Sequence, residues 1–491
     1  DLYTGYCFIK PMMKKLLLGC MLVITAWAAN AQEKKVWTLQ ECIDYALQNN
    51  LNVKRSLLNV ETSEINFSQS KMQMLPTLSG GAQYGNNWGR NIDPTTNLFI
   101  TQRISSFNVN GNTSLLLFNG FRLFNTYKQN NIDNQAATED FNKAKNDVIL
   151  NVIVLYTSVI FNKELFANAQ LQLATTQQQL ERTRKLAEAG SVPKGDVLNL
   201  EAQHATNDLN LITSENTLTL SILQLKQALQ LPAATPLDIE VPQLNIENEL
   251  VMDQTSEEIY QIAYESMPQV KSARLKLQSS LLAKRASKGN LYPRLTASGN
   301  LFSNYSSFAD GTRLIPDGGE QVVQQQIGYV APATPVFRDV TVPTGRIVNS
   351  YGVADQINDN LAKSASLSLQ IPIFNGFNAR SSVQRAVIFN QQAEINLKDI
   401  DNQLRQSVES AYNDAFASSK TYQSATKQVT ARDEAFRMLK QRYDNGAANF
   451  VEYQTAENAL FQAKSDLVRA KYDFIFKKKV LDFYQGKPIE F

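Results

Sequence analysis

The sequence predicts an α+β chain built from two copies of one unit, each with short helices, two strands and a very long helical hairpin. Three observations carry this. Phe118-Asn119-Gly120-Phe121 recurs as Phe374-Asn375-Gly376-Phe377, 256 positions downstream. An alternating apolar run precedes each copy of the tetrapeptide. After each, no glycine or proline interrupts 69 residues, between Gly120 and Gly190 and between Gly376 and Gly446.

The first segment reads as an export signal. Met12-Met13-Lys14-Lys15 opens an apolar run of 14 residues, 16–29, that closes on Ala29-Asn30-Ala31. Two lysines, a short apolar core and a small-x-small site mark a secretory signal cleaved after Ala31. A membrane anchor needs about 20 apolar residues. A lipoprotein signal ending at Cys20 is the other reading, but only four residues separate Lys15 from that cysteine. Residues 1–11 precede any methionine and read as an upstream extension, so 1–31 is extension plus signal.

Composition then excludes several classes. Of three cysteines only Cys42 remains after cleavage, so no internal disulfide forms. The balance of 48 basic and 46 acidic residues argues against a nucleic-acid partner. The lone His204 lies on a helical pattern, and no metal-ligand spacing, nucleophile elbow or phosphate loop is present. No catalytic residue, metal site or cofactor is expected.

Each copy begins alike. Thr38-Leu39-Gln40-Glu41 and Thr255-Ser256-Glu257-Glu258, 217 positions apart, both fit a capping box. A short helix and a longer one follow, ending near Pro76 or Pro293, where proline disfavours helix in its predecessor. Two strands come next. In Ser364-Ala365-Ser366-Leu367-Ser368-Leu369-Gln370-Ile371-Pro372-Ile373, period two puts Leu367, Leu369, Ile371 and Ile373 on one face and serines and Gln370 on the other. Asn119 and Asn375 are placed to cap the long helices, and Gly120 and Gly376 to permit a sharp turn. The breaker-free runs are rich in helix formers, and 69 helical residues span ~104 Å. Gly190 and Gly446 turn the chain into return helices over about 196–231 and 450–484. The densest apolar stretch, 148–161, is 14 residues broken by Asn151 and reads as a buried helix segment.

The offset between copies changes from 217 to 256, so the second copy carries 39 extra residues. They fall in a long loop, 306–355, with four prolines and six glycines. The chain thus divides into a first repeat 32–230, a linker 231–254 punctuated by Pro232, Pro236 and Pro242, a second repeat 255–484 and a tail 485–491. Alternating strands in an exported chain without a spanning helix point to an α+β membrane protein with an outer-membrane barrel. Four strands cannot close one, and an open edge in lipid is not tolerated, so the barrel is shared between chains, as eight strands from two or twelve from three.

With these features the chain resembles the TolC family of outer-membrane efflux ducts. The motifs that carry the resemblance are the Trp37-Thr38-Leu39-Gln40 opening, the Leu75-Pro76 before the first strand, both strand-to-helix junctions, and the hairpins around Gly190 and Gly446. The family junction has two adjacent glycines; here Phe121 and Phe377 replace the second. The resemblance implies a homotrimer: a twelve-stranded barrel in outer-membrane lipid continuous with a periplasmic helical barrel. It implies docking on a periplasmic adaptor and an inner-membrane pump of RND or ABC type, with export of drugs or toxic compounds. The alternatives are the outer-membrane channel of a type I protein secretion system, or a non-conducting periplasmic coiled-coil scaffold.

The resemblance also assigns residues. Adaptor docking falls at the tips, Gly190 and Asp196 with Gly446 and Glu452. The plainer expectation is that these glycines end helices and these acids favour a helix first turn. At the aperture, Tyr443 matches the family's tyrosine and Glu452 its first aspartate, whereas Ala448 stands at the arginine position and Thr455 at a second aspartate. Copies of Glu452, with Asp196, would then ring a narrow pore with acids. The alternative is that Glu452 is a solvated first-turn carboxylate.

Overall fold

Both capping boxes form. Thr38 Oγ1 accepts from Glu41 N (3.2 Å) while Thr38 N donates to the Glu41 carboxylate (3.1 Å), starting α1, Leu39–Asn49. Thr255 and Glu258 repeat the exchange at 3.3 and 2.8 Å and start α5, Ser256–Ser266. The computed structural model describes residues 36–92, 99–101, 103–242, 254–309 and 313–487. The signal segment, the linker residues 243–253 and the tail residues 488–491 lie outside the described residues.

In chain order the elements are β1 (Val36–Trp37), α1, α2 (Leu51–Met72), β2 (Thr77–Asn87), β3 (Arg90–Ile92), β4 (Phe99–Thr101) and β5 (Ile104–Phe118). Next come α3 (Arg122–Glu188), α4 (Lys194–Ala228), β6 (Asp238–Ile239), α5, α6 (Pro268–Lys288) and β7 (Arg294–Ser306). The chain closes with β8 (Arg313–Val330), β9 (Thr334–Val348), α7 (Val353–Asp359), β10 (Ala362–Gln370), α8 (Asn378–Asp444) and α9 (Phe450–Tyr484). The long helices α3 and α8 are 67 residues each and the return helices α4 and α9 are 35 each. Contacts divide the chain into two units.

The first unit comprises 1–62, 135–275 and 394–491. One core gathers Cys42 and Ala46 from α1, Val152, Ile153, Tyr156 and Ile160 from α3, and Phe474 and Ile475 from α9. Fully burying such a side chain contributes ~1.5–3 kcal/mol, which explains why this helix of polar average composition stays put. The apolar stretch 148–161 supplies six members of this core, Val148 and Val159 in addition to the four named. By length and composition a window of α3 is apolar enough to cross a membrane, yet 44% of it is buried in the chain's own core. A second core packs Ile259, Ala263 and Val270 against Leu404, Val408 and Leu481. The linker contributes too: β6 pairs in parallel with β1, and Tyr156 donates from its hydroxyl to Trp37 O (3.2 Å) and Glu240 O (2.8 Å).

The second unit comprises 63–134 and 276–393. Its main sheet is antiparallel, in the order β10-β7-β5-β2. Register places residues of opposite strands on a common face, and the two faces differ in chemistry. Ser366, Ser298, Ser114 and Thr77 form one row, and Ser364, Asn300, Asn112 and Ser79 the next row of that face. Leu367, Ala297 and Leu115 line up on the opposite face, beside Ala365, Gly299, Thr113 and Leu78. The segment expected as the long loop 306–355 instead contains an antiparallel hairpin, β8–β9, followed by α7. Prolines are tolerated there because β8 and β9 pair only with each other, and Pro316 and Pro343 flank a register shift.

Both junctions are capped by asparagine. Asn119 Oδ1 accepts from Leu123 N and Asn375 Oδ1 from Ala379 N, each at 3.4 Å. Gly120 has φ +64°, and a Cβ there would lie 2.6 Å from Gly289 O. Phe121 and Phe377 also adopt positive φ, 61° and 62°. That conformation costs a non-glycine residue about 1–2 kcal/mol. Edge-to-face pairs of Phe118 with Phe121 (5.5 Å) and Phe374 with Phe377 (5.7 Å) offset part of it.

Tyr156→Phe removes both hydroxyl contacts under β1 and β6, with an expected loss of about 1–3 kcal/mol. The readout is amide exchange at Glu240, whose N–H bonds Trp37 O (3.0 Å). Exchange at the wild-type rate would show that the hydroxyl does not hold the pair.

Candidate functional site

The tips of the two hairpins are built from the same turn. At the end of α3, Ser191 N donates to Leu186 O (2.8 Å) and Gly190 N to Ala187 O (3.0 Å). At the end of α8, Ala447 N donates to Arg442 O (2.8 Å) and Gly446 N to Tyr443 O (3.0 Å). This double closure needs a left-handed residue, and Gly190 and Gly446 both have φ +73°. A Cβ at either would meet nothing within 4 Å, so backbone conformation alone selects glycine.

The return helices start differently. Pro193 precedes α4 without a side-chain cap, and half-buried Asp196 stands in its first turn. Asn449 caps α9: its Oδ1 accepts from Glu452 N (2.8 Å) and its Nδ2 donates to the exposed Glu452 carboxylate (2.9 Å). Glu452 is therefore a capping partner in this structure.

Behind the tips the four helices close on an aromatic and polar layer. Tyr443 stacks on Tyr453 (4.8 Å between centroids), and Phe436 and Phe450 flank them. Leu180, Leu200 and Phe450 are buried around Tyr443. Burial pushes the Tyr443 hydroxyl up, the Asp196 carboxylate adds to this, and Arg182 opposes it. Gln179 on α3 donates to Tyr453 Oη (2.5 Å) and to the Glu457 carboxylate (2.7 Å) on α9. Arg182 reaches Asp444 on α8 (3.4 Å), and Gln454 and Asn458 on α9 donate to Gln203 on α4 (3.0 and 3.3 Å). An open cleft of about 1010 Å³ runs along this layer, with Arg182, Asp196, Lys440, Tyr443, Tyr453 and Glu457 on its walls.

Glu457 is the unusual member, only 6% exposed. Burial raises its carboxyl above the ordinary glutamate value, against the opposing effect of the donors Gln179 and Tyr453 and of Lys440. The arrangement binds and positions helices; it has no nucleophile–base pair, and no group of His, Cys, Asp or Glu among the described residues is placed to hold a metal.

Of the residues expected at the aperture, Tyr443 lies inside this layer and Glu452 at its edge. Sequence reasoning missed Gln179, Arg182 and the buried state of Glu457. A signal existed for the last: Phe450, Tyr453, Leu460 and Ala463 mark the buried stripe of α9, and Glu457 sits on it.

Because the folded-state value of Glu457 is raised, its contribution to stability is full below the unfolded value and lost as pH rises through the raised one. Amide exchange in 176–183 and 450–460, corrected for intrinsic rate, is expected to quicken as pH climbs above ordinary glutamate titration. Glu457→Gln is expected to flatten that response; an equal response in the variant would place its origin elsewhere.

Comparison with known proteins bears on this geometry. A family model described as outer membrane efflux protein matches residues 42–230 and 259–477. Outer membrane protein TolC of Escherichia coli (strain K12) is 23% identical over 478 residues, covering 95% of this chain and 85% of TolC. The outer membrane protein VceC of Vibrio cholerae superposes with a TM-score of 0.71 at 13% identity, covering 92% of this chain and 97% of VceC. The Campylobacter jejuni CmeC outer membrane channel gives 0.70 at 15% identity, covering 91% and 85%. At these identities the solved structures show a shared fold.

Proposed function

Because this chain belongs to the outer membrane efflux protein family, we propose that it is the outer-membrane duct of a tripartite efflux system, passing drugs or toxic compounds from an inner-membrane pump and a periplasmic adaptor to the exterior. The family consists of outer-membrane channels that extend into the periplasm, and an efflux-channel role follows from membership.

The observation that carries the finer reading is the four-stranded sheet, whose outer strands β2 and β10 each have one edge unpaired among the described residues. In lipid each unpaired backbone group costs several kcal/mol, so further copies must supply the missing partners. Three chains give twelve strands. The serine and asparagine rows suit a watery lumen and the leucine and alanine rows suit lipid. The matching capping boxes, junctions, helix lengths and tip turns support descent from one duplicated unit.

Mass in detergent is expected to equal three chains, and the purified trimer is expected to conduct across a planar bilayer. A conducting monomer would overturn the shared barrel, and a trimer without conductance would leave only a scaffold. Capture of the crosslinked complex from cells then identifies the pump, separating drug efflux from protein secretion. In the same bilayer, Glu452→Gln is expected to lower cation selectivity if Glu452 rings the aperture. Unchanged selectivity would leave it solely the partner of Asn449.

The exposed turns at Gly190 and Gly446, with Asp196 and Glu452 beside them, are the proposed adaptor-docking surface. At Gly446 a Cβ meets nothing within 4 Å, and leucine there strains the backbone by about 1–2 kcal/mol. Efflux is expected to be lost while trimer levels in the outer membrane stay near normal. An equal collapse of trimer would make the turn a folding element and remove the docking role.

A further inference from the structure

The two copies of Phe-Asn-Gly-Phe meet at one cavity. It has a volume of about 400 Å³ and lies within the second unit, where β7 begins between the two junctions. Asn119 and Arg122 from the first junction, Asn375 and Asn378 from the second, Asn290 and Arg294 all line it. No carboxylate is among the described residues on its walls. Neither Arg122 nor Arg294 is in an ion pair among the described residues.

Three independent features point at the same kind of occupant. The long helices α3 and α8 both start on this wall, and a helix N-terminus presents partial positive charge. Two guanidiniums add formal charge without a carboxylate to neutralise it. Asn119 is only 9% exposed, its Oδ1 is committed to Leu123 N, and its Nδ2 is buried without a hydrogen-bond partner. A buried orphan donor is costly unless something accepts from it.

We propose that this cavity binds a phosphate group, held by Arg122, Arg294 and the side-chain amide of Asn119 at the paired helix N-termini. Planar guanidiniums match phosphate oxygens two at a time, and Asn119 supplies a further donor. Two sources share this chemistry, a phospholipid headgroup and a free inorganic phosphate.

The full-length protein purified in uncharged detergent is titrated with inorganic phosphate alone. In parallel, native mass spectrometry follows binding of dioleoyl-phosphatidylglycerol against dioleoylglycerol, which has the same tails and no phosphate. Binding of phosphatidylglycerol but not dioleoylglycerol or inorganic phosphate supports the site with lipid as the source; binding of inorganic phosphate supports it with the free anion. Asn119→Asp keeps an oxygen to cap Leu123 N while replacing the donor by a negative charge. It is expected to weaken binding at least about tenfold. The double variant Arg122→Gln, Arg294→Gln, which leaves the cap untouched, is expected to do the same. No binding of either phosphate-bearing probe, equal binding of dioleoylglycerol, or affinity unchanged in both variants would overturn the proposal.

Discussion

The two unpaired edges of the β10-β7-β5-β2 sheet constrain the rest of the molecule. A strand edge in water finds hydrogen bonds, but in hydrocarbon it does not. In lipid the sheet would therefore need further strands at both edges, which the proposed shared barrel would supply. The serine and asparagine rows on one face and leucine and alanine rows on the other are chemically unequal, as a wall between lipid and a lumen requires. The junctions carry the same burden: each must end a strand and start a 67-residue helix, the first within three residues, 119–121, and the second within seven, 371–377. Gly120 and Gly376 meet that demand without strain, while Phe121 and Phe377 meet it with strain that their ring pairs partly offset.

At the tips, magnitudes decide what holds the helices together. The Arg182–Asp444 pair is 3.4 Å apart with both side chains substantially exposed, and such pairs contribute only about 0–1 kcal/mol. The stacked Tyr443 and Tyr453, with Leu180, Leu200 and Phe450 buried around them, contribute more through area and ring geometry. Glu457 works against this: its burial is unfavourable when ionised, and the Gln179 and Tyr453 donors compensate only in the present arrangement. Packing holds the layer and the buried acid limits it.

Much of this was legible in the sequence. Period two over 364–371 gave the polar and apolar rows, because alternation in a strand maps directly onto faces. Both capping boxes were readable since their hydrogen bonds span three residues. The hairpin turns were readable because only glycine sits comfortably at positive φ. The β8–β9 hairpin was not, because its four prolines and six glycines over 306–355 mimic a loop and its pairing is with itself. The pairing of β1 with β6 was equally hidden, since two residues 202 positions from their partners leave no periodicity. Tip contacts such as Gln179 with Glu457 cross 278 positions, and only side-chain proximity reveals them.

The tip turns have one more consequence, for recognition. Each turn uses its own last carbonyls: Leu186 and Ala187 at one tip, Arg442 and Tyr443 at the other, all accept from the residues that follow. A protein docking there, as proposed, would find each of those acceptors already engaged once, so it could not extend the helix. Discrimination in the proposed docking would then rest largely on side-chain identity. In the proposed docking, partner choice could thus drift by surface substitution while the turn, fixed by one glycine and two main-chain bonds, stays as it is.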